Sequence, residues 1–285
     1  MNLSIQSAIK KGEEILRKNN IDKPKIAAKE ILQNLIKLSD EKIFLHKDEK
    51  IGIKKTKMFI KKIERHVRNE PLQYITKVAH FYSRRFYISK GTLIPRPETE
   101  ILVEKILEET KGLKKISCLD MCSGSGCIGI TLLLENTNFQ EMFFADLSKS
   151  AIKCCNRNLE KFKVKNKCKV ILSNFFSNIP KKKFDVICSN PPYVTNSEYI
   201  KLQEVIKNFE PKMALVSKNQ GFMHYKQIAN EGRKYLKENG QIFFEVGYNQ
   251  ANQVAALLND LGYSSLVTYN DLNNIKRVIS AVWKK

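Results

Sequence analysis

Phe184-Asp185-Val186-Ile187-Cys188-Ser189-Asn190-Pro191-Pro192-Tyr193 is an apolar run that stops at an Asn, two prolines and a Tyr. Its length and its Val and Ile content read as a fully buried strand, which ends where proline has no N–H to give the ladder. The chain must therefore leave the sheet at Asn190. In an open parallel α/β sheet, ligands bind just beyond the carboxyl ends of the strands. An amide side chain, prolyl carbonyls and a phenol ring thus gather at a candidate reaction centre.

Working outward from that strand, candidate strands at 116–121, 141–146, 168–172, 184–189, 241–246, 264–269 and 276–283 alternate, for the most part, with helices. This is the pattern of an α/β, doubly wound (Rossmann-like) sheet of seven strands. Only the short polar segment 270–275 joins the last two strands, so the seventh should run antiparallel. Ahead of the sheet, residues 1–75 read as a small α-helical domain. Ile5, Ala8, Ile9, Ile15 and Leu16 share one face. After an expected cap at Asp22, with Pro24 in the first turn, Ile26, Ala27, Ile31, Leu32, Leu35 and Leu38 share another. A third helix should follow Ser39-Asp40, and a long one should cover 52–69, with Ile53, Met58, Ile63 and Val67 inward and Lys54, Lys55, Lys57, Lys61, Lys62, Arg65 and Arg68 largely outward. The alternation Phe81, Tyr82, Phe86, Tyr87, Ile88 predicts a hairpin with its turn near Ser83-Arg84-Arg85. The expected organisation is a helical domain (1–78), a β-hairpin linker (79–90) and an α/β domain (91–285).

The 50 basic and 29 acidic side chains leave a net charge of +21. Basic surfaces gather phosphate-rich partners, but the surplus forms no tail, and residues 1–80 carry 19 basic and 10 acidic groups. Charge alone therefore does not assign a nucleic-acid function. The seven cysteines include no C-x-x-C pair and have no nearby His, so no metal site is expected, and reduced, mostly buried thiols fit better. The stretch Met1 to Lys11 is too polar for a signal peptide and no apolar run approaches membrane-spanning length. A cytoplasmic protein with no membrane partner is expected.

Four strand ends carry chemistry. The first runs into Asp120-Met121-Cys122-Ser123-Gly124-Ser125-Gly126-Cys127. Glycines at such a turn let backbone N–H groups approach a ligand, although a tight turn serving helix packing alone would look the same. Asp146 ends the second strand, where an acid can accept both hydroxyls of a ribose or can cap the next helix. After the third strand, Asn174 and Phe175 could meet the edge and face of an adenine, with core packing the alternative for Phe175 and Phe176. After the fourth strand comes Asn190-Pro191-Pro192-Tyr193.

This constellation resembles the class I S-adenosylmethionine-dependent methyltransferases that modify planar amino or amide nitrogens. Such a nitrogen has its lone pair delocalised and is a poor nucleophile. Asn190 and the Pro191 carbonyl could hold its N–H groups while Tyr193 stacks on the planar group, so rate would come from alignment and fixed dipoles. The motif alone leaves N6-adenine methylation of DNA or RNA open beside glutamine methylation. The flanking residues Pro71-Leu72-Gln73-Tyr74-Ile75, Ile94-Pro95-Arg96-Pro97-Glu98-Thr99-Glu100, Phe209-Glu210-Pro211 and Glu245-Val246-Gly247-Tyr248-Asn249-Gln250, with the helical domain, resemble the HemK/PrmC family of peptide chain release factor glutamine methyltransferases.

The resemblance implies an enzyme that methylates the glutamine of the release-factor Gly-Gly-Gln loop. Its helical domain would grip the release factor, and no nucleic-acid substrate is implied. It places S-adenosylmethionine over Cys122, Ser123, Gly124, Ser125, Gly126, Asp146, Asn174, Phe175 and Asn190, with Asn190, Pro191, Pro192 and Tyr193 lining the glutamine pocket. Asn190, Pro191 and Tyr193 would carry catalysis. Family members usually have Gly where Lys77 and Ser83 stand, so a differently shaped hairpin is expected. They usually have Asp where Asn174 stands, so weaker donor binding is expected.

Overall fold

In the computed structural model, which describes residues 2–284, the chain divides into two units, Met1–Val78 and Ala79–Lys285. The first contains α1 (Ile5–Lys18), α2 (Pro24–Ile36), α3 (Asp40–Leu45), α4 (Ile53–Val67) and α5 (Leu72–Thr76). Ser4 and Ser39 cap α1 and α3 by accepting backbone N–H bonds from Ser7 and Lys42. Ile5, Ala8 and Leu16 of α1, Ala28, Ile31 and Leu32 of α2, and Phe59 and Ile63 of α4 meet in one core.

The structure of α2 and α4 corrects several expectations for this unit. Asp22 does not cap α2; Lys23 precedes it in left-handed backbone (φ 47°) with no side-chain bond. Pro24 at the first helical position has already removed one of the donors a cap would serve. Ile26 is 57% exposed. On α4, Ile53 and Met58 lie outside, and Thr56, Phe59 and Ile63 turn inward. The basic face of α4 is not wholly solvated either. Lys62 donates to the Ile75 carbonyl at 2.7 Å, and Arg65 forks onto Glu70 through two bonds of 2.7 Å.

A hairpin follows, β1 (Val78–Phe81), whose first residue is the last of the first unit, and β2 (Arg84–Tyr87). Its turn is Tyr82-Ser83, one residue earlier than expected, and both residues are left-handed (φ 50° and 57°), as a tight hairpin turn demands. Lys77 is also left-handed (φ 59°). The backbone at Lys77 and Ser83 thus lies in the region glycine enters most easily.

There follow α6 (Thr99–Glu109), β3 (Ile116–Met121), α7 (Cys127–Glu135), β4 (Phe139–Asp146), α8 (Lys149–Phe162), β5 (Cys168–Leu172), β6 (Phe184–Ser189), α9 (Asn196–Lys201), α10 (Glu204–Phe209), α11 (Met223–Gly232), β7 (Leu236–Glu245), α12 (Ala251–Asp260), β8 (Tyr263–Asn270) and β9 (Lys276–Trp283). One seven-stranded sheet has the order β5-β4-β3-β6-β7-β9-β8, and β9 is antiparallel to both of its neighbours. The expected α/β class, strand number and antiparallel last strand are all present.

Successive residues of the strands serve opposite faces. Cys118, Met142, Phe144, Val186 and Phe243 pack with α6, α7 and α8, whereas Leu119, Phe143, Ile187, Ile242 and Phe244 pack with α11 and α12. β7 begins five residues earlier than the apolar pattern indicates. Its pairing with β6 jumps from Phe184–Leu236 to Val186–Gln241, so the polar residues 237–240 bulge out of register. No helix among the described residues is long and apolar enough to cross a membrane.

Candidate active site

β3 and β4 end side by side, and their ends are tied together. The turn after β3 is left-handed at Cys122 (φ 60°), Gly124 (φ 55°) and Gly126 (φ 78°). Gly126 has no room for a side chain, because a Cβ there would stand 2.8 Å from Cys155 Sγ. Asp146, at the end of β4, accepts the Gly124 N–H on Oδ2 and the Ser148 N–H on Oδ1, both at 2.8 Å. It is not the cap of α8, a role taken by Ser148. Burial raises the Asp146 pKa against the opposing pull of the Ser148, Gly124 and Leu147 N–H groups. From behind, fully buried Asn158 donates to the Ser125 and Tyr87 carbonyls at 2.9 Å and accepts the Tyr87 N–H at 2.7 Å.

The next strand over, β6, carries Asn190. Ser189 Oγ donates to the Met121 carbonyl at 2.6 Å, which locks the exits of β6 and β3 to each other. Beyond it, Asn190 Nδ2 donates to Thr99 Oγ1 at 3.0 Å, so Oδ1 is the end of the amide left over. Tyr193 is held at both ends. Its carbonyl accepts from Gln250 Nε2 at 3.0 Å, and its hydroxyl reaches Glu245 Oε1 at 3.5 Å. Gly221 (φ +89°) lies against this joint; a Cβ there would come within 2.4 Å of both the Tyr193 carbonyl oxygen and Gln250 Nε2. The loop ahead of α6 is clipped by Glu210, which accepts from Arg96 Nη2 at 2.5 Å and from the Ile94 N–H at 3.2 Å.

These pieces line a cleft at the carboxyl ends of β3, β4 and β6. Of the residues singled out from sequence, Cys122, Ser123, Gly124, Ser125, Asp146, Asn190 and Pro192 line it. Gly126, Asn174, Phe175, Pro191 and Tyr193 are not in its wall. Gly126 starts α7, Asn174 is exposed, and Tyr193 lines a neighbouring cleft with Tyr248 and Arg277. Phe175 (φ 49°) faces the His224 ring, with centroids 5.4 Å apart. His224 itself reaches the cleft, yet nothing in the sequence around it marks it as a site residue. Burial pushes its pKa down to about 4, so the ring is neutral near pH 7, with Nδ1 2.7 Å from Ser217 Oγ. Thr99 and Leu147 were also missed as wall residues. Thr99 stood inside a recognised motif but carried no role there.

Beneath the turn lies Asp120, fully buried, with Oδ2 accepting the Gly129 N–H at 3.1 Å and Oδ1 unpaired. Burial pushes its pKa up to about 7, with the nearby Asp146 charge adding to the rise. A carboxyl whose pKa is raised on folding stabilises the fold below its unfolded value near 3.8, and that stability is lost as pH climbs through about 7. Asp120→Asn has no such loss. Its Tm relative to wild type is therefore expected to rise by several degrees between pH 4 and pH 7 and to hold constant above. Parallel scans of the two proteins across this range test it; a pH-independent difference would contradict the buried acid.

Among the described residues no group of three or more His, Cys, Asp or Glu is placed to hold a metal ion. A family model described as the methyltransferase small domain matches residues 97–220, and one described as the PrmC N-terminal domain matches residues 7–76. The bifunctional methyltransferase of Rickettsia typhi is 34% identical over 297 residues, spanning 98% of this chain and 57% of that protein. The chain therefore covers little more than half the length of relatives of that kind. The release factor glutamine methyltransferase of Clostridium acetobutylicum is 32% identical over 286 residues, spanning 98% of this chain and 99% of that protein. Among solved structures, a methyltransferase from Pyrococcus furiosus shares the fold, with a TM-score of 0.53 at 15% identity over 78% of this chain and 98% of that one. With such identity to the Clostridium protein over nearly the full length of both, the chain belongs to the release factor glutamine methyltransferase family.

Proposed function

We propose that this protein transfers the methyl group of S-adenosylmethionine to the side-chain amide nitrogen of the glutamine in the Gly-Gly-Gln motif of peptide chain release factors. The observation that carries the reading is the single cleft that brings the glycine turn and Asp146 together with an Asn190 whose amide is already oriented. Membership of the family supports the glutamine over the adenine alternative, as does the match of residues 7–76 to the PrmC N-terminal domain. On this reading Met1–Val78 serves substrate recognition, the partners are release factors, and the protein works in the cytoplasm.

The cleft suits the donor. Ser123 Oγ and Ser125 Oγ are buried in its wall without a hydrogen-bond partner, and buried polar atoms of that kind call for a polar ligand or water. The Asp146 carboxylate uses one lone pair of each oxygen on a backbone N–H, which leaves acceptor capacity for two ribose hydroxyls. Cys122 to Gly126, Asp146 and Asn190 would hold the donor, with Asn174 and Phe175 at its adenine end. The bound donor supplies an electrophilic methyl on a sulfonium. The protein's part is alignment: Asn190 Oδ1 and the Pro191 carbonyl accept the two amide N–H groups of the glutamine, and Tyr193 stacks on the planar group and keeps water away. No strong base is required, since the amide nitrogen becomes strongly acidic once methylated.

Incubation with tritiated S-adenosylmethionine and each release factor tests this. Label is expected on the Gly-Gly-Gln peptide alone. An unlabelled peptide would overturn the proposal, and label in nucleic acid would establish adenine methylation in its place.

A further inference from the structure

Glu245-Val246-Gly247-Tyr248-Asn249-Gln250 is one of the stretches that carry the family resemblance, yet none of it lines the donor cleft. Its place is across the Asn190-Pro191-Pro192-Tyr193 motif, in the neighbouring cleft lined by Tyr193, Gly247, Tyr248 and Gln250. The motif is therefore a partition. Asn190 and Pro192 line the donor side, and Tyr193 lines the other. A planar group clamped by Asn190 and covered by Tyr193 needs both sides of that partition held in one alignment.

Tyr193 is fixed through the peptide group that joins it to Val194. The Val194 N–H donates to the Leu215 carbonyl at 2.9 Å, and the Tyr193 carbonyl accepts from Gln250 Nε2 at 3.0 Å. Both polar atoms belong to one rigid plane. With the Leu215 bond alone, that plane could pivot about it. A turn about the Tyr193 Cα–C bond would then swing the phenol ring.

Gln250, at the start of α12, is 6% exposed and enclosed by two glycines. A Cβ on Gly221 would stand 2.4 Å from both Gln250 Nε2 and the Tyr193 carbonyl oxygen. One on Gly247 would stand 2.7 Å from Gln250 Oε1 and 3.3 Å from Tyr193 Cδ2. Amide, carbonyl and ring are thus packed against bare backbone. The amide has one productive orientation, because the Tyr193 carbonyl only accepts and so must meet the nitrogen. That leaves Oε1 toward the Tyr225 hydroxyl, 3.4 Å away, whose hydrogen is shared with the Glu245 carbonyl at 3.1 Å.

Resting on the glutamine-methylation reading, we infer that Gln250 is a positioning residue for methyl transfer: its amide holds the Tyr193–Val194 peptide plane and thereby sets the Tyr193 ring against the group that Asn190 clamps. Gly221 and Gly247 give the clearance that lets the amide reach. Gln250 has no part in holding the donor, since it stands outside that cleft.

Gln250→Met keeps the length of the side chain and removes its donor. Its kcat on a Gly-Gly-Gln peptide at saturating donor is expected to fall about tenfold, the loss of one net hydrogen bond, with the Kd for S-adenosylmethionine within about twofold of wild type. Gln250→Leu, equally without a donor, should match it. A double variant separates aiming of the ring from general loosening. In a Tyr193→Ala background, Gln250→Met should cost less than about twofold more, because no ring is left to aim, whereas independent effects would multiply. A readout that needs no substrate comes from the chain itself. Tyr193-Val194 is its one Tyr-Val step, so carbon-13 in tyrosine carbonyls and nitrogen-15 in valine give a single correlated NMR signal from this peptide group. Its carbonyl carbon should shift upfield in Gln250→Met, as a carbonyl that loses a donor does. Wild-type kcat in Gln250→Met, an equal loss of rate and donor affinity, multiplying losses in the double variant, or an unshifted carbonyl signal would each overturn the inference. If wild type fails to label the peptide, the functional reading falls, and the carbonyl signal still decides whether Gln250 holds Tyr193.

Discussion

Asn190→Ala is expected to lower kcat for methyl transfer to the glutamine by about 10²–10³-fold, the usual cost of removing one preorganised dipole from a reacting group. Donor affinity should fall by less than about tenfold, because Asp146 and the turn after β3 remain in place. Asn190 sits at the point where β6 leaves the sheet, and its Nδ2 is already tied to Thr99 at 3.0 Å. Truncation removes Oδ1 and leaves the strand intact, so the variant should fold. Single-turnover rates at saturating donor, set beside calorimetric titration of the donor, separate the two effects. A parallel loss of rate and donor affinity would mean that Asn190 acts mainly in holding the donor.

Asp146→Ala should show the opposite split. The Kd for S-adenosylmethionine is expected to rise about 10²–10⁴-fold, since hydrogen bonds to a charged group contribute ~1.5–3 kcal/mol each and the two ribose hydroxyls would lose theirs. The Gly124 and Ser148 N–H groups would also lose their acceptors, which loosens the turn that forms the donor's bed. At saturating donor, kcat should stay within a few-fold of wild type, because Asn190, Thr99 and Tyr193 are untouched. Asp146→Asn is the sharper probe: its amide can serve one of the two backbone N–H groups but turns a donor toward the other. Titration of wild type and both variants checks the order, and an unchanged Kd in Asp146→Ala would remove this residue from the donor site.

The sheet was legible in sequence where short, mainly apolar and β-branched runs stand between polar turns. Ile116–Met121, Cys168–Leu172, Phe184–Ser189 and Lys276–Trp283 have the bounds that the pattern gave them. The pattern misled where the backbone departs from ideal pairing. The start of β7 is hidden because residues 237–240 bulge with polar side chains. In the helical unit the error was of phase: Ile53 and Met58 are apolar yet exposed, and Thr56 occupies the inward position between them. Of the twelve residues singled out at strand ends, seven line the cleft. Thr99 and His224 escaped because a Thr near a helix start and a lone His have ordinary structural uses, and only the fold brings them to Asn190 and Phe175.

β3 and β6 are neighbours in the sheet but lie more than sixty residues apart in the chain, in a register that sets Met121 beside Ser189. The turn assigned to the donor and the motif assigned to the acceptor leave from that one pair of residues. Adjacent strands stand about 4.8 Å apart whatever side chains they bear, so the reach between the two reactants is ruled by a backbone spacing. A slip of one residue in this pairing would turn every side chain of β6 to the opposite face and is forbidden by the core on both sides. Loops and helices around the cleft are thus free to drift toward new acceptors, while the gap that a methyl group must cross stays constant.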